Sequence, residues 1–192
     1  MTSRILPPVV LALALIVAGC STGATVTFTP DGPCAVDGSA PGAYPELEAL
    51  VPVRYEERAP DTLDSGRHCS TENLGTLREA GIDELRFAGG TWGFGGERAA
   101  ALVVFQAPRL TAADLARFYR SSAEAANRTQ LTGESRPTLA GRPGHRLDTR
   151  TGDRTQTVVI WPATEADTVN VVITNDLPDP KIDAAIGAFD GR

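Results

Sequence analysis

An uncharged apolar segment at the start of the chain sets the strongest limit on how the rest can fold. Residues 5–18 form an apolar run of 14 residues behind Arg4, and the run is followed directly by Gly19 and Cys20. A helix that crosses a bilayer needs about 20 apolar residues, so this run has the length of a cleaved export signal rather than of a permanent span. We therefore expect the folding part of the chain to follow it and to lie outside the cytoplasm.

The end of this run, Val17-Ala18-Gly19-Cys20, resembles the lipobox of bacterial lipoproteins. The resemblance implies that residues 1–19 are a lipoprotein signal peptide and that Cys20 is the lipidated first residue of the mature protein, in the manner of palmitate-bearing lipoproteins. Each buried CH₂ of an acyl chain contributes about 0.8 kcal/mol, so two or three chains hold a protein on a bilayer. The expected place is the bacterial cell envelope, with the membrane contact made through Cys20. The alternative is an ordinary secretory signal that Cys20 happens to follow.

The other two cysteines of the chain, Cys34 and Cys69, form the only pair that remains once Cys20 carries a lipid. Exported proteins fold in oxidising compartments, where such a pair is normally bonded. Closing a loop of about 36 residues contributes about 3–4 kcal/mol in the chain-entropy model. A redox-active pair is the alternative, but it favours the short C-x-x-C spacing. The sequence therefore predicts a structural disulfide that fixes the mature N-terminus to the folded body.

The charge balance argues against nucleic acid as a partner. The chain carries 18 basic and 24 acidic residues, a formal net charge of −6, whereas neutralising phosphates requires a surplus of Lys and Arg. Two histidines and three cysteines leave few groups for metal binding or nucleophilic chemistry. We expect no cofactor, no metal site and no assigned catalytic residue.

The mature chain divides into a tether and one α+β domain. Residues 20–43 are rich in Ser, Thr, Gly and Pro, as flexible tethers are, and residues 44–192 are expected to form the domain. Hairpin-length loops between the later strands favour an antiparallel sheet, with the helices packed on one side of it. The periodicity predicts helical segments at 45–50, 70–80, 111–126 and 179–189, and strands at 53–57, 84–88, 99–106, 145–150, 155–161 and 169–174.

Element order then suggests a family of folds. From about residue 84 to residue 189, the segment Leu139-Ala140-Gly141-Arg142-Pro143-Gly144 leads into three strands and a terminal helix. This arrangement resembles the PsbP-like α/β/α sandwich found in small extracytoplasmic lipoproteins. The resemblance implies the fold alone, because proteins that share it perform unrelated functions.

Two histidines are the candidates for acid–base chemistry. His68 adjoins Cys69 and is interpreted as a loop residue, whereas His145 shares a strand face with Leu147 and is interpreted as a core or core-edge residue. The enzymatic alternative is an envelope hydrolase in which His145 works with a carboxylate such as Asp148 or Asp176. That alternative requires His145 in an open cleft, within hydrogen-bond reach of the carboxylate.

The most unusual segment is glycine-rich and aromatic, and it covers residues 89–96. Trp92 and Phe94 are either folded back onto the sheet or presented to a glycan, a lipid or an envelope protein, with Arg98 and Trp161 as expected neighbours. The favoured function is therefore a lipid-anchored protein with a non-enzymatic binding or accessory role. A lipid or ligand carrier is a further alternative, and it requires a large apolar cavity between the sheet and the helices.

Overall fold

The chain builds one large antiparallel sheet, which places the protein in the α+β class. A computed structural model describes residues 28–190, so the predicted signal peptide, the lipobox and Cys20 lie outside the described residues. The strands are β1 (Gly38–Ala40), β2 (Thr62–His68), β3 (Leu85–Gly93), β4 (Ala99–Gln106), β5 (Thr129–Ser135), β6 (Thr138–Leu139), β7 (Arg142–Pro143), β8 (His145–Thr151), β9 (Arg154–Pro162) and β10 (Thr168–Asn175). Eight of them pair in the order β1-β2-β3-β4-β10-β9-β8-β5, and β6 and β7 form a separate small hairpin.

Helices cover both faces of this sheet. They are α1 (Pro45–Glu48), α2 (Thr71–Leu74), α3 (Thr76–Glu79), α4 (Ala112–Ala125) and α5 (Asp179–Ala188). Leu47 of α1 and Ile182 of α5 pack on one face, whereas Leu77 of α3 and Leu115 of α4 pack on the other. The prediction that helices pack on one side is therefore wrong. The central strands β4, β9 and β10 carry apolar side chains on both faces, and both faces need cover.

Two hydrophobic clusters result, one on each side of the sheet. Alternation along β9 shows the division, because Val159 and Trp161 enter the first cluster while Val158 and Ile160 enter the second. The first cluster lies under α1 and α5, and the second lies under α2, α3 and α4. The core is thus split by the sheet into two layers.

The strongest sequence patterns are confirmed. The predicted strands 99–106, 145–150, 155–161 and 169–174 correspond to β4, β8, β9 and β10, and the predicted last helix corresponds to α5. α4 begins at a capping box, in which the Thr111 side chain accepts from the Asp114 amide and the Asp114 side chain accepts from the Thr111 amide. Local patterns therefore predict most of the second half of the fold, except β5 and the small β6–β7 hairpin.

The first half differs from the prediction in two places. The predicted helix at 70–80 is two short turns separated by Gly75, whose φ of +47° breaks the helix. The predicted strand at 53–57 is a turn closed by a bridge between Tyr55 and Arg58. The strand in this part of the chain is β2, which begins later, at Thr62. Its sequence pattern does not indicate a strand, because two of its buried residues, Ser65 and Arg67, are polar.

The predicted tether at 20–43 also needs correction over its described part. Phe28 packs against the first core cluster, and β1 pairs with β2 from Gly38 to Ala40. Residues 28–43 are therefore part of the folded body. No helix among residues 28–190 has the length and hydropathy that a membrane span requires.

Candidate functional site

Trp92 lies in the core and not on a contact surface. Its side chain is fully buried, its indole Nε1 donates to the Arg58 carbonyl at 3.0 Å, and its ring meets Tyr55 edge-on at 5.7 Å between centroids. A Cβ on Gly90 would lie 2.8 Å from this indole, so only a glycine at this position leaves the ring enough space beside β3. Of the two alternatives for Trp92, the structure has the ring folded back onto the sheet and not presented to a ligand or partner.

Phe94 and Arg98 complete the same corner. Phe94 is partly buried, its ring lies 5.6 Å from that of Tyr55, and the Lys181 ammonium lies 4.8 Å from its centroid. Arg98 is exposed and donates to the Phe94 carbonyl at 3.0 Å. Phe94 thus contacts α5 through Lys181, whereas Arg98 braces the β3–β4 turn from within, and of the four predicted contact residues Arg98 alone is exposed.

Trp161, the fourth predicted contact residue, is also buried. It is 2% exposed and meets Phe189 edge-on at 5.2 Å between ring centroids. Because it belongs to the same core cluster as Trp92, it is not available to a partner. The two tryptophans therefore form part of an aromatic core.

The hydrolase alternative requires His145 within hydrogen-bond reach of Asp148 or Asp176, and neither carboxylate lies beside it. His145 lies on the α4 face of the sheet, while the Asp148 carboxylate lies on the α5 face and accepts from Arg146 at 3.0 Å and from Thr157 at 2.6 Å. Asp176 accepts from the Thr155 amide at 2.8 Å, at the other end of β8 and β9. Burial, followed by the positive charge of Arg136, lowers the pKa of His145. Among the described residues, no hydrogen bond joins His145 to Asp148 or Asp176, and the carboxylate whose charge acts on it is Glu134, which opposes the lowering of the pKa.

His68 is held by an aromatic stack. Its ring lies 4.9 Å from that of Phe87, with 21° between the planes, and burial lowers its pKa. Its Nδ1 is buried without a hydrogen-bond partner. Among residues 28–190, no cluster of three His, Cys, Asp or Glu side chains is arranged to hold a metal ion.

Beside His68, the N-terminal segment of the body is fixed to the sheet by a predicted disulfide and by a buried arginine that the sequence did not indicate. Cys34 and Cys69 are disulfide-bonded, with 5.7 Å between their Cα atoms, as predicted. Next to them the Arg67 guanidinium, 2% exposed, donates to the carbonyls of Thr29 and Gly32, each at 2.9 Å. We call residues 28–37 the strap, because the disulfide and Arg67 fix them to the sheet.

Asp37 secures the end of the strap. Its carboxylate accepts from the Ser70 amide at 2.9 Å and from Asn73 at 2.7 Å, and it also accepts from the Cys69 amide and the Ser70 hydroxyl. Burial alone would raise the pKa of Asp37, but these hydrogen bonds outweigh it and lower the pKa to about 2. The strap is therefore tied to the start of α2 by a charged acceptor.

An open groove lies between the C-terminal half of α4 and the sheet. Its volume is about 380 Å³, and its walls come from α4, β5, β8, β9 and the end of β10. On the helix side, the residues that line the groove become smaller along the chain, from Tyr119 to Ala123 and Ala126. Small side chains leave the space unfilled, and this decrease is the signal from which the sequence could have predicted the groove.

The lining of the groove is mixed. Leu131, Leu147 and Val158 provide apolar surface, and the remaining strand residues are mainly neutral and polar: Thr129, Thr149, Thr151, Thr155, Gln156 and Asn175. The lipid-carrier alternative requires a large apolar cavity between the sheet and the helices, whereas this groove is open and combines apolar with polar side chains. Comparison with models of protein families finds no matching family, and comparison with the curated proteins finds no match.

Proposed function

We propose that this chain is a lipid-anchored extracytoplasmic protein of the bacterial cell envelope, with a PsbP-like body that has a binding or accessory role. The observation that carries the proposal is the Cys34–Cys69 pair, whose Cα atoms lie at a disulfide distance of 5.7 Å. Such bonds persist in oxidising compartments and are rare in the cytosol. This agrees with export directed by residues 1–19 and with Cys20 as the lipid acceptor.

The strap supports an anchored body close to the bilayer. Seven residues lie between Cys20 and Phe28, where the described body begins, and the eight Cα–Cα steps span about 28 Å at most. A lipid on Cys20 would therefore hold the sheet within a short distance of the membrane. The strap would limit that distance, since residues 28–37 are fixed by Arg67 and by the disulfide.

A binding role is favoured over catalysis by the side chains on the two faces of the sheet. His145 and Asp148 point to opposite sides, and the carboxylates of Asp148 and Asp176 are engaged by neighbouring groups. The groove under α4, by contrast, is open and offers neutral polar side chains. Such a surface suits recognition of a ligand without chemistry on it.

Metabolic labelling with radioactive palmitate, followed by membrane fractionation, tests the anchor. We expect the wild-type chain to carry the label and to sediment with membranes, and Cys20→Ala to lose both properties. The matched control is the double variant Cys34→Ala/Cys69→Ala, which should keep the label because it leaves Cys20 in place. An unchanged label on Cys20→Ala would refute the anchor.

A further inference from the structure

We infer that the groove under the C-terminal half of α4 is a binding site for a neutral saccharide. The inference deepens the binding role proposed above and rests on it. The volume of about 380 Å³ lies within the range of small-molecule sites. The shape, the charge and the hydrogen-bonding capacity of the groove each limit the class of ligand that it can bind.

The charges at the groove do not favour an ionic ligand. Arg154 and Asp176 are the only charged side chains among the described residues that line it, and they are of opposite sign. Arg154 pairs with Glu97, and Asp176 accepts from the Thr155 amide at 2.8 Å and from the Thr155 hydroxyl at 3.1 Å. Because the lining carries no net charge, it offers neither an anion nor a cation a counter-charge in excess. We therefore expect an uncharged ligand.

Polar side chains on the floor of the groove retain free hydrogen-bonding atoms. Gln156 Nε2 donates to Asn175 Oδ1 at 3.1 Å, which leaves Gln156 Oε1 as an acceptor and Asn175 Nδ2 as a donor. A single hydroxyl group can donate to the first and accept from the second. The hydroxyls of Thr129 and Thr151 lie 2.8 Å apart and form a second polar pair. The groove thus offers paired sites for a ligand with several hydroxyl groups.

An apolar face of the ligand would pack against apolar side chains on the walls of the groove. Leu131 is one of the few large exposed hydrophobic side chains, with 36% of its surface accessible, and it lines the groove opposite Tyr119. The Tyr119 hydroxyl makes no hydrogen bond to any described residue, and burial raises the pKa of this phenol, so it remains a donor at neutral pH. A sugar ring combines one apolar face with a rim of hydroxyl groups, which is the chemistry that these walls accept.

Titration calorimetry with maltose and cellobiose as probes tests the inference on the full lipidated chain, kept in a detergent that has no sugar headgroup. Ala123→Leu places a larger side chain in the groove and should weaken binding about tenfold or more. Ala125→Leu, in the same helix but outside the groove lining, is the matched control and should bind as the wild type does. Tyr119→Phe keeps the ring, removes the free hydroxyl and should weaken binding by a smaller factor.

Three results would overturn the inference. These are no heat of binding for either probe at about 10 mM, which is ten times a dissociation constant of about 1 mM, equal effects of the two leucine variants, or tighter binding of glucuronate than of the neutral sugars. Calorimetry reports on the groove alone and palmitate labelling reports on the anchor alone. Failure of one proposal is therefore distinguishable from failure of the other.

Discussion

Arg67 is the residue on which the strap depends most. Its guanidinium is buried and donates to the carbonyls of Thr29, Gly32 and Pro33, and the Glu84 carboxylate lies 3.8 Å away. We expect Arg67→Met to lower the free energy of unfolding by about 2–4 kcal/mol, because buried acceptors lose a charged donor. Arg67→Lys should cost less, since it keeps the charge but loses the planar fork. Urea denaturation measures both variants.

Limited proteolysis adds a local measurement to this prediction. The strap should be cleaved sooner in Arg67→Met than in the wild type, because its carbonyls are no longer held. Arg150→Met is the control, since Arg150 is exposed on β8 and its loss should change stability by less than about 0.5 kcal/mol. Equal stability of Arg67→Met and wild type would show that the strap does not depend on this side chain.

Asp37 gives the strap a dependence on pH. Hydrogen bonds lower its pKa from 3.8 to about 2 in the folded chain, so the unfolded chain takes up a proton first as the pH falls. The stabilisation by Asp37 is thus fully present above about pH 4, and it is lost as the pH falls through the depressed pKa. We expect Asp37→Asn to be less stable than wild type at pH 7, with a difference that shrinks between about pH 4 and pH 2.

Chemical denaturation at a series of pH values measures this difference. Asp153→Asn, in the exposed turn between β8 and β9, is the control and should leave the pH profile unchanged. A constant difference between wild type and Asp37→Asn down to pH 2 would contradict the assignment of this carboxylate.

At the scale of elements, the sequence predicts those whose burial pattern is regular. β10 and α4 follow apolar periods of two and of about four residues, so their positions are readable. β2 is not, because Ser65 and Arg67 face inward, and their partners, which include Tyr44, Glu48 and the strap, lie far away in the chain. β5 is hidden for another reason: it is an edge strand with a bulge between Leu131 and Gly133 and few buried side chains.

The capping box of α4 is the element whose contribution can be measured most directly. Thr111→Ala should lower the free energy of unfolding by about 1 kcal/mol, because the Asp114 amide loses its side-chain acceptor. Ser121→Ala, inside the same helix, is the matched control and should be neutral or slightly stabilising. Thermal unfolding followed by circular dichroism measures both, and equal melting temperatures for the two variants would contradict a stabilising cap.

For the whole molecule, the candidate site could be predicted only in part. The glycine-rich segment alone leaves open whether Trp92 is presented or folded back, and the structure shows that Gly90 leaves space for the Trp92 ring in the core. The groove depends on four strands and a helix that meet only in the folded chain, and the sequence marks it only by the small residues at the end of α4. Residue chemistry is local, whereas a concave surface is a property of the assembled layers.

The disulfide connects the strap to the sheet across 35 residues of sequence. Its removal in Cys34→Ala/Cys69→Ala should lower the free energy of unfolding by about 3–4 kcal/mol, since the unfolded chain regains the entropy of an open loop. The strap should also become sensitive to protease. Cys20→Ala lies outside this loop and should leave the stability of the body unchanged. If the double alanine variant were as stable as Cys20→Ala, Arg67 and Asp37 alone would hold the strap.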